Sequence, residues 1–118
     1  VWINACVAAQ VPVVTTGIYG AYEGPRFETR AEVRAAQAMG VTVAGMTVVP
    51  EVVLANELAI PYACISLVVN PATGLVAGQV TIEDINLVIE QGPEAVKRVL
   101  SHAAKALASN LDSESAQK

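Results

Sequence analysis

The run PYACISLVVN, from Pro61 to Asn70, decides the fold of this chain. Its first nine residues carry no charge and include several β-branched side chains. A continuous apolar run of this length is typical of a strand that is covered on both faces of its sheet. The sequence therefore predicts a central strand over Pro61 to Val69, ended by the Asn70-Pro71 pair, which favours a turn.

The segments before this run alternate between strand and helix patterns. Val11 to Ala21 is rich in Val, Ile, Thr and Tyr, which predicts a strand. Thr29 and Glu32 have the spacing of a capping box, so a helix should begin there and end at Gly40, a favourable C′ residue. Val41 to Gly45 predicts a second, short strand. This alternation indicates an α/β architecture.

The remaining elements are predicted to be helices. Pro50 to Leu58 should be helical, because proline suits a first turn. A second capping-box pattern predicts a helix over Thr81 to Gln91, ended by the Gly92-Pro93 pair. Proline at 93 then opens a last helix, whose apolar stripe at helical spacing consists of Val96, Val99, Leu100, Ala103 and Leu107.

Length and charge restrict the function classes. The chain has 118 residues, 53% of them hydrophobic and 15% charged, which fits one domain with one core and is too apolar for a disordered chain. The net charge is −4 and no block of basic residues occurs. Because phosphate backbones are bound by clustered Lys and Arg, nucleic acid is not expected as a partner.

The cysteines and the hydropathy profile indicate a protein of the cytoplasm. Cys6 and Cys64 lie far apart, without metal-binding or CxxC spacing, and Cys64 is predicted to be a buried free thiol. The longest apolar stretch, Leu58 to Val69, is shorter than the ~20 residues that cross a bilayer. We therefore expect no membrane association, no metal site and a cytoplasmic location.

Three runs in the sequence together resemble a known family. They are EGPRFETRAE (Glu23 to Glu32), AGMTVVPEVVLA (Ala44 to Ala55) and SLVVNPATG (Ser66 to Gly74). In this order and spacing they resemble the C-terminal half of the trimeric purine nucleoside phosphorylase and methylthioadenosine phosphorylase family, over about Val13 to Leu107. The nearest relatives would be bacterial methylthioinosine phosphorylases.

The resemblance implies a phosphorylase/hydrolase-like mixed sheet flanked by helices, of which this chain would hold the C-terminal half only. Residues 1–111 would then form a partial nucleoside phosphorylase domain whose phosphate-binding half is absent. The polar residues 112–118 are predicted to be a disordered tail. Full-length relatives of this kind assemble as homotrimers.

The resemblance assigns the reading of the purine base to three residues. Asn70 matches the residue that contacts N7 and the 6-position, and its amide can donate to both N7 and O6 of a 6-oxopurine. Phe27 would pack on the base, and Glu28 would accept the N1–H of a 6-oxopurine. Adenosine-type relatives have aspartates at the positions of Asn70 and Ala72, with Pro71 between them. Residue type alone leaves simpler roles open, because Asn70 can cap a turn and Glu28 can be a solvated charge near a helix start.

The sugar and phosphate contacts follow from the second run. By resemblance Met46 would pack on the ribose and Thr47 would bind phosphate. Thr47 could equally cap the helix after it. At the 5′ position, relatives that prefer a hydroxyl have a histidine where this chain has Ile82. Ile82 and Ile85 would line an apolar pocket for a methylthio group, or would simply be the buried face of their helix.

The predicted reaction is phosphorolysis of S-methyl-5′-thioinosine to hypoxanthine and 5-methylthioribose 1-phosphate, with Asn70 as the catalytic donor to the departing base. The partners are a purine nucleoside and phosphate, the latter a co-substrate, and no cofactor is expected. Inosine/guanosine phosphorylase and methylthioadenosine phosphorylase are alternatives that differ in specificity. A non-catalytic fragment that needs a partner half in order to fold or act is the alternative of another class.

Overall fold

The structure of the chain is a computed structural model that describes residues 1–78 and 81–115, with side chains as far as residue 110. This part of the chain contains four helices and two short strands. In chain order they are α1 (Trp2–Ala8), β1 (Tyr19–Ala21), α2 (Arg30–Ala38), β2 (Val43–Gly45), α3 (Val49–Glu57) and α4 (Ile82–Ser115).

The two strands form a parallel pair joined by α2. Tyr19 lies opposite Val43 and Ala21 lies opposite Gly45. The Thr42 side chain extends the pairing, because its Oγ1 accepts a hydrogen bond from the Ile18 N–H at 2.8 Å. The predicted βαβ order is therefore confirmed, with strands shorter than the sequence predicted. Of the strand predicted over Val11 to Ala21, only the last three residues form a ladder.

Helix α2 has the ends that the sequence predicts. Thr29 accepts from the Glu32 N–H at 3.3 Å, and the Glu32 carboxylate accepts from the Thr29 N–H at 2.6 Å, which completes a capping box. At the other end Gly40 has φ +86, and the Val41 N–H donates to the Ala36 carbonyl at 3.0 Å. This 6→1 bond is that of a Schellman motif, and Gly40 is its C′ residue.

The segment from α3 to Asn70 departs from the prediction. Helix α3 forms, with Pro50 in its first turn, but none of its residues is buried. Pro61 to Val69, predicted to be a central strand, is not paired in a ladder, and it makes no backbone–backbone hydrogen bond to any described residue. A strand needs a neighbour, and the described residues supply none beside this segment.

Helix α4 corrects one further prediction. It begins after Thr81, whose N–H donates to the Asp84 carboxylate at 3.0 Å, and it continues through Pro93. The predicted break at Gly92-Pro93 is wrong, because Pro93 removes one backbone donor from the helix without ending it. Helix α4 is assigned as far as Ser115, and residues 116–118 of the polar tail lie outside the described part, so the tail expected from residue 112 stays a prediction.

The chain divides into two compact units, Val1–Thr15 with the residues from Leu87 onward, and Thr16–Asn86. The buried hydrophobic residues of the first unit lie in or beside α1 and in α4, namely Ala5, Cys6, Ala9, Val99 and Ala103. Val99 and Ala103 belong to the predicted stripe, whereas Leu100 and Leu107 are about half exposed. In the second unit Val33 and Ala36 of α2 are buried.

The environment of Cys64 also differs from the prediction. Both cysteines are free, but Cys64 is exposed and only Cys6 is buried. The reason is the unpaired state of Pro61 to Val69, which leaves the middle of that segment open to water. Among the described helices, none combines the length and hydropathy required to cross a membrane.

Candidate functional site

One groove within the second unit collects much of the predicted base site. It has a volume of about 400 Å³, and the predicted residues that line it are Phe27, Asn70, Pro71, Ala72 and Ile85. Arg30, at the start of α2, and the loop from Thr73 to Gly78 contribute the remaining wall. Glu28, Met46, Thr47 and Ile82 are not among the lining residues.

The arm that carries Phe27 is fixed by charge. The Nη1 and Nη2 atoms of Arg26 each donate a hydrogen bond to the Glu32 carboxylate at 2.8 Å, and the same carboxylate accepts from the Thr29 N–H. The bond from Arg26, and then those from Thr29, hold the pKa of Glu32 well below its usual range. The Glu32 hydrogen bond likewise raises the pKa of Arg26. These bonds tie the chain on both sides of Phe27, a residue that is 63% exposed and lines the groove.

Asn70 begins the opposite wall. Its side-chain Nδ2 donates to the Pro71 carbonyl at 2.9 Å, which is the turn interaction that an Asn-Pro pair favours. An amide group has two N–H donors and one carbonyl acceptor, and no other described residue bonds to the Asn70 side chain, so one donor and the acceptor can bind another molecule. The turn role and a ligand-binding role are therefore compatible for this side chain.

Glu28 is the buried charged residue of this arm. It is 9% exposed, and it forms no hydrogen bond or ion pair with the described residues. Buried carboxylates are normally hydrogen-bonded, and an ionised one only accepts hydrogen bonds. The Glu28 oxygens still reach solvent, since no described side-chain oxygen is fully buried without a hydrogen-bond partner. Glu28 has the acceptor capacity to bind an N–H group brought by another molecule.

Met46 and Thr47 follow β2 at the carboxyl end of the parallel pair. The Thr47 hydroxyl lies 3.1 Å from the Tyr19 hydroxyl, and the Thr47 N–H donates to the same oxygen at 3.4 Å. Met46 packs its sulfur against Gly24. The N-cap of α3 is Val48, with φ +82, and no side chain caps this helix. The capping role considered for Thr47 is therefore wrong.

The two isoleucines expected at the 5′ end of the substrate separate in the structure. Ile85 lines the groove, one helical turn into α4, whereas Ile82 is 71% exposed and lies outside the lining. The alternative that both form a buried helix face does not hold, since neither is among the buried residues. The groove thus has one apolar wall from α4, provided by Ile85.

Arg30 is the groove residue that sequence reasoning missed. Its aliphatic stem covers Gly74, where a Cβ would come within 2.7 Å of the Arg30 Cγ. Gly74 also has φ +81, a conformation that other residues rarely adopt. The only sequence signal was the FETR run itself, in which an arginine at the first helical position is unfavourable for the helix dipole.

The groove suits a planar ligand that accepts hydrogen bonds. It offers an aromatic ring from Phe27, amide and guanidinium donors from Asn70 and Arg30, and apolar contact from Ile85. Within the described residues, no three His, Cys, Asp or Glu side chains are grouped as a metal site would require. The chemistry that these side chains support is orientation of a ligand and hydrogen bonding to it.

Comparison with known proteins identifies the family. The Phosphorylase superfamily matches residues 2–106. A probable S-methyl-5′-thioinosine phosphorylase of Methanosarcina acetivorans is 44% identical over 89 residues, which is 75% of this chain and 34% of that protein. A protein of the same description from Pseudomonas syringae is 40% identical over 76% of this chain and 37% of its own length. The 6-oxopurine nucleoside phosphorylase of Pyrococcus furiosus is 40% identical over 84% of this chain and 38% of its own length.

A solved structure confirms the fold. Methylthioadenosine phosphorylase from Schistosoma mansoni, in complex with adenine, superposes with a TM-score of 0.80 at 26% identity, over 91% of this chain and 43% of that one. The predicted α/β phosphorylase fold is thus confirmed for this segment. The chain spans about a third of the length of the curated relatives that it matches.

Proposed function

The chain belongs to the phosphorylase superfamily, and we propose that it supplies the base- and sugar-reading part of a purine nucleoside phosphorylase. The observation that carries the proposal is the groove in which Phe27, Asn70, Ala72 and Ile85 come together. The substrate is S-methyl-5′-thioinosine, and phosphate displaces hypoxanthine to leave 5-methylthioribose 1-phosphate. Purine salvage is the role that this reaction serves.

The proposed reading of the base begins with Asn70. Breaking the glycosidic bond places negative charge on the departing purine, and an enzyme gains most by stabilising that charge. The free N–H of the Asn70 amide donates to N7 while the other stays with the Pro71 carbonyl. If the side chain releases Pro71, the second donor reaches O6. Ala72 offers no acceptor to the amino group of adenine, so the pair favours a 6-oxopurine.

Glu28 supports the same preference. A 6-oxopurine carries a proton on N1, and the carboxylate of Glu28, which forms no hydrogen bond or ion pair with the described residues, accepts a hydrogen bond from that N–H. Adenine has a lone pair at N1 and would face that carboxylate without a proton between them. Leaving such a polar group unsatisfied costs about 1–3 kcal/mol, which is about tenfold to a hundredfold in binding. Glu28 is not among the residues that line the groove, so this contact is proposed from the resemblance.

The 5′ group of the sugar is assigned to the apolar surface at the start of α4. Ile85 provides apolar surface for a methylthio group, whose burial is favourable. Ile82 is exposed and outside the groove, so its proposed contact depends on parts of the enzyme beyond this chain. Inosine/guanosine phosphorolysis stays as the alternative, favoured by relatives described as 6-oxopurine nucleoside phosphorylases. Methylthioadenosine phosphorolysis is the further alternative, if Asn70 meets adenine through a water molecule.

Phosphate and the oligomer are proposed from the resemblance. Thr47 contributes a hydroxyl and an N–H at the carboxyl end of the parallel strands, where α/β folds place ligands. It would exchange the Tyr19 hydroxyl for a phosphate oxygen, and Met46 would contact the ribose beside it. The other phosphate ligands lie outside this chain, and a homotrimer closes each site. We therefore expect no phosphorolysis by residues 1–118 alone.

The test replaces the matching segment of the Pseudomonas syringae relative by this chain. With phosphate present, kcat/KM is measured for methylthioinosine, inosine and methylthioadenosine, beside the unaltered relative and the isolated chain. Methylthioinosine is expected to lead. A highest kcat/KM for inosine would contradict the role of Ile82 and Ile85. A highest kcat/KM for methylthioadenosine would contradict the recognition of the base by Asn70 and Glu28. Turnover by the isolated, host-free chain would refute the expected inactivity.

A further inference from the structure

Arg30 brings a positive charge to the groove that also contains Asn70. Among the described residues that line this groove, Arg30 is the only one with a charged side chain. Its guanidinium forms no hydrogen bond or ion pair with the described residues. The nearby Arg26, by contrast, is bonded twice to the Glu32 carboxylate. The N–H donors of Arg30 can therefore bind a ligand in the groove.

The stability of α2 does not account for an arginine at this position. Arg30 is the first residue of the helix, where the helix dipole already provides partial positive charge and disfavours a cation. The helix start is capped by Thr29 and Glu32, without the Arg30 side chain. The charge of Arg30 and the dipole of α2 instead raise the positive potential on this side of the groove, which favours a ligand that carries negative charge.

Gly74 fixes the path of the Arg30 side chain. A Cβ added at Gly74 would lie 2.7 Å from the Arg30 Cγ and 3.0 Å from its Cδ, so the aliphatic stem runs directly along the Gly74 backbone. Gly74 belongs to the loop that follows Asn70 and lines the same groove. This contact holds the stem of Arg30 against the loop that begins at Asn70, the residue assigned to N7 and the 6-position of the base.

We propose, on the basis of the function proposed above, that the Arg30 guanidinium donates a hydrogen bond to O6 of the purine and determines the preference for a 6-oxopurine. When phosphate displaces the base, the electron pair of the glycosidic bond passes to the purine, and O6 shares the resulting negative charge. A cation beside O6 stabilises this charge more strongly in the transition state than in the neutral nucleoside, so it increases the rate. Arg30 keeps its own protons throughout, because a guanidinium is not deprotonated in proteins.

The same guanidinium disfavours adenine. The 6-position of adenine carries an amino group, which would direct its N–H donors at the donors of Arg30, and a guanidinium has no acceptor. With Arg30 on O6, the Asn70 amide needs to supply only one N–H, which it gives to N7, and it can keep its bond to the Pro71 carbonyl. Asn70 then contacts the atom that both bases share, and Arg30 distinguishes the bases at the 6-position.

The test uses three substitutions in the chimera described above. Arg30→Met keeps an unbranched stem along Gly74 but removes the charge and the donors, and Arg30→Lys keeps the charge. Arg34→Met is the matched control, because Arg34 lies one turn later on α2, is exposed and does not line the groove. For each protein kcat and KM are measured with methylthioinosine and with methylthioadenosine, and urea unfolding verifies that the variants fold.

We expect Arg30→Met to lower kcat/KM for methylthioinosine by about tenfold, mostly through kcat, and to leave that for methylthioadenosine nearly unchanged. Arg30→Lys should retain most of the activity with methylthioinosine, and Arg34→Met should match the unaltered chimera.

Two results would overturn the role of Arg30. One is an Arg30→Met variant that behaves like Arg34→Met. The other is an equal loss with both nucleosides that Arg30→Lys does not rescue, since this would mean that the side chain only supports the Gly74 loop. Failure of the proposed function is distinguishable, because the unaltered chimera would then turn over neither nucleoside, and the assignment of Arg30 would fall with it.

Discussion

The two walls of the groove are built in different ways. The Phe27 wall leads into α2, whose capping box, Schellman motif and buried Val33 all come from residues within about a dozen positions of each other. The Asn70 wall follows residues 61–69, which have no backbone partner among the described residues. One wall is fixed by local interactions, and the other depends on neighbours distant in sequence or outside the chain.

This difference separates what a short sequence can specify from what it cannot. Capping and helix termination depend on residues three to six positions apart, so the residues in and next to α2 determine where this helix begins and ends. A strand buried in a sheet depends on partners far along the chain. One wall of the groove is therefore organised by local interactions, and we expect the chemistry proposed above to need partners that position the other wall.

The largest effect is expected at the wall that lacks support. In the assembled chimera, Asn70→Asp should shift the ratio of kcat/KM for methylthioadenosine over methylthioinosine upward by about tenfold to a hundredfold, because a carboxylate accepts from the adenine amino group and repels O6. Steady-state kinetics with both nucleosides measure this ratio. Asn4→Asp, the same change at an exposed position of α1, is the control. An unchanged ratio would contradict the assignment of Asn70.

A matched pair of valines tests the contrast in stability. Val33 of α2 is 5% exposed, whereas Val53 of α3 is 47% exposed. In the isolated chain Val33→Ala should lower the free energy of unfolding by roughly 1–3 kcal/mol through loss of core contacts. Val53→Ala should change it by less than about 0.5 kcal/mol. Urea unfolding followed by circular dichroism measures both, and equal losses would show that α3 is already packed in solution.

The capping box gives a smaller effect on the supported wall. Thr29→Ala removes the side-chain acceptor for the Glu32 N–H and should cost about 0.5–2 kcal/mol. Thr29→Ser keeps the acceptor and should retain most of the stability. The same urea titration distinguishes them. If Ala and Ser variants unfold at the same urea concentration, the capping box does not hold the Phe27 wall.

The sequence predicted the parts of the fold that have local signals. The start and end of α2, the start of α4 and the parallel order of β1 and β2 were all readable from Thr29, Gly40, Thr81 and alternating patterns. Helix α3 ends at Glu57, and the left-handed residue two positions later is Ala59, with φ +52, in place of the glycine that usually marks such an end. The break predicted at Gly92-Pro93 was wrong, since a proline removes one backbone donor but need not end a helix that has helical turns before and after it.

The sequence predicted the candidate-site residues whose type and position both match the runs shared with the family. Phe27, Asn70, Pro71, Ala72 and Ile85 were each identified and share one groove. Arg30 was missed because a helix-start arginine has no pattern that marks a ligand contact. The exposure of Ile82 and Cys64 was missed for another reason. Burial of Cys64 was inferred from the apolar run around it, and Ile82 was placed in a pocket wall by the resemblance or in a buried helix face by its type, whereas burial depends on which other elements are present.

The smallest expected effect is the acid sensitivity of the supported wall. Bonds from Arg26 and Thr29 lower the pKa of Glu32 in the folded chain, and Thr81 lowers that of Asp84 in the same way. A carboxyl group with a lowered folded pKa stabilises the fold above its unfolded pKa, and this contribution is lost as the pH falls towards the folded value. The melting temperature should therefore decrease between about pH 5 and about pH 2.

Glu32→Gln should lower the melting temperature near neutral pH and flatten this decrease. Glu23→Gln, at an exposed carboxylate with no hydrogen-bond or ion-pair partner among the described residues, should leave the profile unchanged. If Glu32→Gln leaves the dependence of the melting temperature on pH unchanged, the ion pair with Arg26 does not persist in solution. The Phe27 wall would then lack its fixing interaction, as the Asn70 wall lacks backbone partners in the isolated chain.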